Sequence, residues 1–369
     1  MSEVLSLTVA SADGGEHRHD LEGTGHLVVE CRDDPALPGH CVLRFTRPST
    51  PAPLGCQPLP ASQAQAAKAL VHLLATGRLR ADPSALALQP GECGRLTFGG
   101  ARASLGSGHL HLLVERYCGT VGARFGARLR AWLPALAGRS ATVDREGKLH
   151  NLLRASADDP VMRDLQDSLF DELYWDPSLR AASRLGIRSP LGVAVVHESW
   201  LRGAWTPLRD RASAGGSVQQ VGEHEWLRRY VQLRRDWLAT HPNPLLREAV
   251  ACMDTFRHLM DQEAWALPLP LVVNGEEISP ATLAAPPHGC HEGPEPGTRE
   301  LAVHSPLQRG LDVRLVQLAL SDQGCELRAD GVWGPVTARC IRAFQRASEL
   351  PETGIADAAL IQKLLALEN

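Results

Sequence analysis

The stretch from residue 306 to residue 366 admits few folds. Val313, Val316, Leu318 and Leu320 put an apolar face on one helix, Asp330-Gly331 makes a turn, and Thr337 to Arg346 forms a second helix with Ile341 and Phe344 on one side. Leu350 and Thr353-Gly354 follow, and the whole reads as a three-helix bundle.

The remainder of the chain is long enough for more. At 369 residues two or three domains are expected, and a hydrophobic content of 44% supports a sizeable core. The formal net charge of −4, with no long basic run, argues against a nucleic-acid scaffold. No segment reaches the apolar length needed to cross a bilayer. The amino end, Met1 to Val9, lacks a basic region followed by a sustained apolar core, so neither a membrane span nor a secretory signal is expected. The nine cysteines are odd in number and hold no Cys-x-x-Cys pair, which leaves a structural zinc site or a complete disulfide framework unsupported. A bridge between two of Cys31, Cys41 and Cys56, or between Cys325 and Cys340, stays open; the others are expected as reduced, buried small hydrophobes.

Residues 1–58 read as a small β region. Val4 to Val9, His26 to Cys31 and Cys41 to Phe45 are runs of strand length, followed by Pro48, Pro51, Pro53 and Pro58. Three short strands are marginal alone and are expected to lean on the next domain, residues 59–278. There the spacing predicts helices over 61–76, stopped by Gly77, and over 109–117, 122–136, 159–174 (opened by Asp159-Pro160), 190–205, 223–240 and 244–261. Between Leu86 and Leu105 the helical spacing fails and glycine is frequent, which predicts a β-hairpin or long loop. Pro280, Pro286, Pro287, Pro294 and Pro296 mark residues 279–305 as a semi-rigid interdomain linker ahead of the module 306–369.

Two resemblances rest on these residues. Pro306-Leu307-Gln308-Arg309-Gly310-Leu311, Asp330-Gly331-Val332-Trp333-Gly334, Phe344-Gln345 and Thr353-Gly354 together resemble the helical peptidoglycan-binding module of many bacterial cell-wall hydrolases. Such a module implies no chemistry; it concentrates a neighbouring domain on a polymer. Residues 60–275 resemble the family 46 glycoside hydrolases, the chitosanases. The motifs are Gly77-Arg78-Leu79, Pro90-Gly91-Glu92-Cys93-Gly94, Leu105-Gly106-Ser107-Gly108-His109, Leu113-Val114-Glu115-Arg116-Tyr117, Gln166-Asp167, Tyr174-Trp175-Asp176-Pro177, and Leu191-Gly192 through His197-Glu198-Ser199. That resemblance implies a mainly α, lysozyme-like, two-lobed helical domain with a β-hairpin and a cleft between the lobes.

Glycoside cleavage commonly uses two carboxyl groups, one protonating the leaving oxygen and the other activating water or attacking the sugar. The resemblance implies that Glu92, in the turn Gly91-Glu92-Cys93-Gly94, is the second carboxylate, where the family has an aspartate. It implies that Thr97 helps position the water and that Arg95 supports the site. Glu198 falls where the family has an Asp of a charge network, and Arg257 where it has an Arg of that network. Taken without the resemblance, Glu92 is a solvated turn residue, and Glu198 and Arg257 are partners in a structural salt bridge.

The family's general acid falls at Ala75, in His72-Leu73-Leu74-Ala75-Thr76-Gly77, and alanine cannot donate a proton. Either the chain is a natural binder without catalysis, or it carries an engineered Glu→Ala substitution. The presence of Glu92, Thr97, Glu198 and Arg257, which would erode together after loss of function, favours the second. Glu223-His224-Glu225 does not converge on one ion along a helix, and no spacing selects a nucleophilic triad around Cys93. No metal or cofactor is expected.

The combined expectation is a peptidoglycan glycan-strand hydrolase of muramidase (lysozyme) type, cleaving the β-1,4 bond between N-acetylmuramic acid and N-acetylglucosamine, and inactive as written. The small net charge favours peptidoglycan over polycationic chitosan. Action in the periplasm or cell wall without a classical signal fits an injection system or phage-type lysis. A secreted antibacterial effector would have a secretion-machinery component or an immunity protein as further partners. The alternatives are a non-catalytic peptidoglycan-binding protein and a chitosanase.

Overall fold

The computed structural model describes residues 59–89 and 95–366 in full and, before residue 59, the backbone of four strands. Val4–Ala10 (β1) pairs antiparallel with Glu16–Glu22 (β2), Val4 opposite Glu22, and Val28–Asp33 (β3) pairs with Cys41–Thr46 (β4), Val28 opposite Thr46. Residues 1–58 form a contact unit of their own. The fourth strand, β2, has no apolar run to announce it: Glu-His-Arg-His-Asp-Leu-Glu is defined by its hairpin partner. The expected bridge among Cys31, Cys41 and Cys56 lies outside the described side chains.

From residue 59 the chain builds three cores. The first is organised by Ala61–Thr76 (α1), an Ala-rich helix ended by Gly77 in the left-handed region, whose N–H returns to the Leu73 carbonyl at 2.8 Å. A three-stranded antiparallel sheet follows, Leu86–Gln89 (β5), Arg95–Phe98 (β6) and Ala103–Ser104 (β7), in the order β5-β6-β7 with Gln89 opposite Arg95. With His109–Gly119 (α2), Gly147–Ser156 (α3) and Pro160–Phe170 (α4) it encloses the second core, which includes Phe98, Leu113, Tyr117 and Leu152. The expected 122–136 helix is instead two short ones, Gly126–Arg130 and Leu133–Ala137; Pro134 cannot continue the first hydrogen-bond ladder and opens the second.

Asp159 caps α4 through Val161 N, with Pro160 at the first helical position. The helix does not stop there. It passes through a π-helical turn, Asp171–Trp175, into Asp176–Leu185 (α5), and so runs from the second core, which holds Leu169, to the first, which holds Trp175. Pro190–Arg202 (α6) is apolar all round from Pro190 to Val196 and lies inside the first core against α1 and α5. It ends three residues short of the expected Trp205, because Gly203 and Ala204 both take positive φ. Glu223–Ala239 (α7) and Val250–Asp261 (α8) close this lobe. The two lobes expected from the sequence are therefore present, joined by the α4–α5 rod.

Leu311–Asp322 (α9), Pro335–Ala347 (α10) and Ala358–Ala366 (α11) form the three-helix module around Trp333, Val316, Ile341 and Leu360. Two glutamines stitch its turns. The Gln317 side chain bonds Asp330 Oδ1, Val332 O, Thr337 Oγ1 and Gly331 N, all at 2.8–3.1 Å. Gln345 does the same for Thr353 Oγ1, Ile355 O and Gly354 N at 2.9–3.0 Å. A disulfide joins Cys325 to Cys340.

The expected linker does not act as one. Residues 279–305 hold a short helix, Pro280–Ala284, and then pack onto both neighbours: His291 N donates to Asp158 Oδ1 at 2.8 Å, and Leu301 pairs with Ala356 of the module in both directions at 2.9 Å. Helix α9 sits directly on α3. Leu318 is fully buried in the second hydrolase core, and Arg314, also buried, bonds Asp158 Oδ1 at 3.0 Å and the carbonyls of Arg154 and Gly289. Asn151 bonds Ser321 Oγ, Leu327 O and Ala329 N. Prolines set the composition of a spacer, but buried polar groups that find partners only across the seam make a fixed joint. Among the described residues no helix is long and apolar enough to cross a membrane.

Candidate active site

One face of α1 carries Lys68, His72 and Ala75, at helical spacings of four and three. Ala75 is exposed in the last turn. Lys68 Nζ is paired with Asp171 Oδ1 of the π-turn at 2.5 Å and lies 5.1 Å from the Trp175 ring centroid. Asp167 lies one turn before Asp171 on α4, and desolvation of its carboxyl lifts its pKa above the ordinary carboxylate value against the pull of Arg80. Burial keeps the His72 pKa below its ordinary value. The middle of α1, through Lys68, and the π-turn thus face each other where the two lobes meet.

Beneath that helix end lies a buried charge network. Glu198 of α6 is 1% exposed and pairs with Arg234 Nε at 2.8 Å and Arg202 Nε at 3.2 Å; the Arg234 side chain is wholly buried and also donates to Gly203 O at 2.9 Å. Arg202 reaches Cys252 Sγ at 3.9 Å, and that thiol donates to the Leu74 carbonyl at 3.3 Å. A chain of polar contacts therefore runs from Glu198 to the backbone immediately before Ala75. Burial raises the Cys252 thiol pKa, so the sulfur is a protonated donor. Tyr230, buried beside this network, is pushed up to about 12 by burial.

Arg257 does not join it. It is half exposed and pairs with Asp254 at 3.1 Å, which Arg235 also holds at 2.8 Å. The guanidinium groups on Glu198 come from Arg202 and Arg234 instead. Arg234 had a sequence signal: an arginine on the apolar face of α7, four residues after Tyr230 and four before Leu238, needs a buried acid.

On the opposite lobe, the β5 and β6 strands end at Gln89 and Arg95 around residues 90–94, so Glu92 and Cys93 lie outside the described residues. The flank is firmly held. Arg95, with φ of 59°, pairs with Asp144 at 2.8 Å and donates to the carbonyls of Arg139 and Ser140, while Asp144 accepts from Leu96 N at 3.1 Å. Thr97 is buried, and its hydroxyl donates across the sheet to Ala87 O at 3.0 Å. Gln166 pins the far end, accepting from Gly100 N at 2.9 Å and donating to Pro83 O at 3.0 Å. A Cβ at Gly99 would meet Gln166 at 2.2 Å, and φ of 75° there also requires glycine.

Glu223 is used to cap the α6 entry, accepting from Arg188 N, Ser189 N and Ser189 Oγ, and His224 stacks on Trp265 with ring centroids 3.7 Å apart. Neither is aimed at a common point with Glu225, which pairs with Arg229.

Comparison with known proteins agrees with this architecture. The model of glycosyl hydrolase family 46 matches residues 92–271, and that of a peptidoglycan binding domain matches residues 309–364. The chain therefore carries a family 46, chitosanase-like glycosyl hydrolase domain joined to a carboxy-terminal peptidoglycan-binding domain. A chitosanase of Bacillus subtilis (strain 168) is 26% identical over 138 residues, which span 34% of this chain and 50% of that relative; the chain thus matches half the length of the curated relative. Among solved structures, the native chitosanase of Bacillus subtilis MY002 matches with a TM-score of 0.50 and 24% identity, over 60% of this chain and 100% of that one. A Gynuella sunshinyii GH46 chitosanase in complex with chitotetraose matches with a TM-score of 0.49 and 22% identity, over 60% and 98%.

Proposed function

We propose that this chain is a peptidoglycan-directed glycan-strand hydrolase scaffold whose cleft acts on β-1,4 bonds between N-acetylmuramic acid and N-acetylglucosamine, with residue 75 at the general-acid position and Glu92 as the second carboxylate. The observation that carries the assignment of residue 75 is the path from Glu198 through Arg202 and Cys252 to the Leu74 carbonyl. A buried ion-pair network that ends on the carbonyl immediately before an exposed residue fixes the helix end that would carry a functional group there, and an alanine supplies no such group. Arg95 and Thr97 hold the strand that follows Glu92, so they act as positioning residues for it. With Ala75 the leaving oxygen has no proton donor, and the chain binds without turnover. The peptidoglycan-binding domain, fixed against the hydrolase lobe, favours wall glycan as the polymer.

The match to a chitosanase supports a second substrate, polyglucosamine, and the exposed Asp167 beside Asp171 would suit its ammonium groups. The test is to digest purified sacculi and chitosan with Ala75→Glu protein and identify the products by mass spectrometry. Muropeptides with a new reducing end support the wall reading. Glucosamine oligomers alone would replace it by the chitosan reading. In the wider reading the protein is an antibacterial effector working in the periplasm, with secretion machinery and an immunity protein as partners. Ala75→Glu protein directed to the periplasm of an unprotected host should then lyse it, whereas the same protein left in the cytoplasm should not.

A further inference from the structure

The motif residues of the carboxy-terminal module leave its ligand site unassigned. Gln317, Asp330, Gly331 and Thr337 bond one another, as do Gln345, Thr353 and Gly354. Its two aromatic residues, Trp333 and Phe344, pack in its core. What remains is a groove of about 470 Å³ between the end of α10, the loop after it and α11. That volume falls in the range of about 300–1,000 Å³ common for ligand sites.

Leu350 and Ile355, exposed by 39% and 36%, flank the buried Leu360 in this groove, and its charged groups are Glu300, Asp357 and Lys363. Gln345 pins the loop through Thr353, Gly354 and Ile355, and the two-way pairing of Leu301 with Ala356 fixes the segment that carries Glu300. The site is therefore preorganised, and binding to it costs little ordering.

We infer that this groove binds the stem peptide of peptidoglycan and not its sugars. The inference rests on the reading that the module engages the cell wall. Sugar rings offer apolar C–H faces that pack best on flat aromatic rings, and no aromatic side chain lines this groove. A stem peptide offers alanine methyls for Leu350, Ile355 and Leu360, carboxylates for the Lys363 ammonium, and a diamino acid's ammonium for Glu300 and Asp357. The charges present are those such a peptide needs, of both signs and around an apolar floor.

The test measures calorimetric binding of the full chain to three probes: a soluble alanine–glutamate–diaminopimelate–alanine stem peptide, peptide-free wall glycan oligomers, and whole sacculi. Lys363→Glu and the pair Leu350→Ser with Ile355→Ser, each at an exposed position, serve as variants, with melting temperature as a check on folding. The parent should bind the stem peptide, and each variant should bind it about tenfold or more weakly, as loss of a charged or apolar contact implies. Affinity for peptide-free glycan, which can also enter the hydrolase cleft, should stay unchanged. Variants that bind the stem peptide as the parent does, or that lose peptide-free glycan instead, overturn the groove assignment while sacculus binding keeps the wall reading alive. A parent that binds no sacculi overturns the wall reading itself.

Discussion

At residue scale, the buried ionisable groups divide into a pair whose pH responses oppose each other. His197, held between Trp175 and Phe170 with Nδ1 on Ser178 Oγ at 3.1 Å, has its pKa pulled down to about 4 by burial. The unfolded imidazole titrates near 6.5, so as pH falls the unfolded chain takes the proton first. Stability present above that value is lost down to about pH 4, by ~3 kcal/mol at most at about 1.36 kcal/mol per unit. Asp158 runs the other way. Burial lifts it to about 6 despite Arg314, so the folded state takes the proton first, and stability present below the unfolded value of 3.8 is lost as pH rises through 6. Compared with the parent in urea titrations at pH 4.5 and 7, Asp158→Asn should steepen the loss at low pH and His197→Phe should relieve it. Equal shifts in both variants would contradict the two assignments. The Glu198 pair is a separate matter: Arg234→Met leaves a buried carboxylate without its closest cation and should cost about 3–5 kcal/mol. A chemical-denaturation loss under 1 kcal/mol would show that the carboxylate finds water or Arg202 instead. Half-exposed Arg257→Met should change stability little, which separates the surface arginine from the buried one.

At element scale, much of the fold was legible because helix stop signals are local. Gly77, Asp159-Pro160 and the apolar run from Pro190 each act within one turn: α1 ends, and α4 and α6 begin, where they fall. The π-turn at Asp171–Trp175 was not legible, since nothing in Asp-Glu-Leu-Tyr-Trp departs from an ordinary helical pattern; it arises where one rod must serve two cores. Strand β2 was hidden for the complementary reason, having a partner but no apolar face. At the site, Glu198 was legible as an acid inside an apolar helix and Arg234 as an arginine on an apolar helix face, whereas their pairing, and the share Arg202 takes in it from the end of α6, depend on how the helices pack. The hairpin offers a test of positioning. Arg95→Ala frees β6 from Asp144 and two carbonyls, so in the Ala75→Glu background it should lower kcat with little change in KM. A rise in KM at constant kcat would instead place Arg95 in substrate binding.

At the scale of the whole molecule, the module is a wall of the hydrolase lobe and not a tethered anchor. Removing residues 306–369 would strip Leu318 from the second core, take the Arg314 guanidinium from Asp158 and take Ser321, Leu327 and Ala329 from Asn151, so the truncated chain should melt well below the parent or fail to fold. Leu318→Ala alone should cost about 2–5 kcal/mol. Calorimetry of residues 59–369 should show one cooperative transition, and two independent transitions would restore the linker picture that the prolines suggested. A fixed module also holds its groove at a set distance from the cleft, so activity on wall fragments should depend on fragment length more sharply than a flexible tether allows. The central claim, that hydrolysis needs a carboxyl at residue 75 acting with Glu92, is tested most directly by the release of reducing ends from sacculi. Three proteins are compared: the chain as written, Ala75→Glu, and Ala75→Glu with Glu92→Gln. We expect Ala75→Glu to exceed the other two by about 10²–10⁴-fold, the usual worth of a positioned general acid or base. If the alanine chain releases reducing ends as fast as the glutamate form, the two-carboxylate site is wrong.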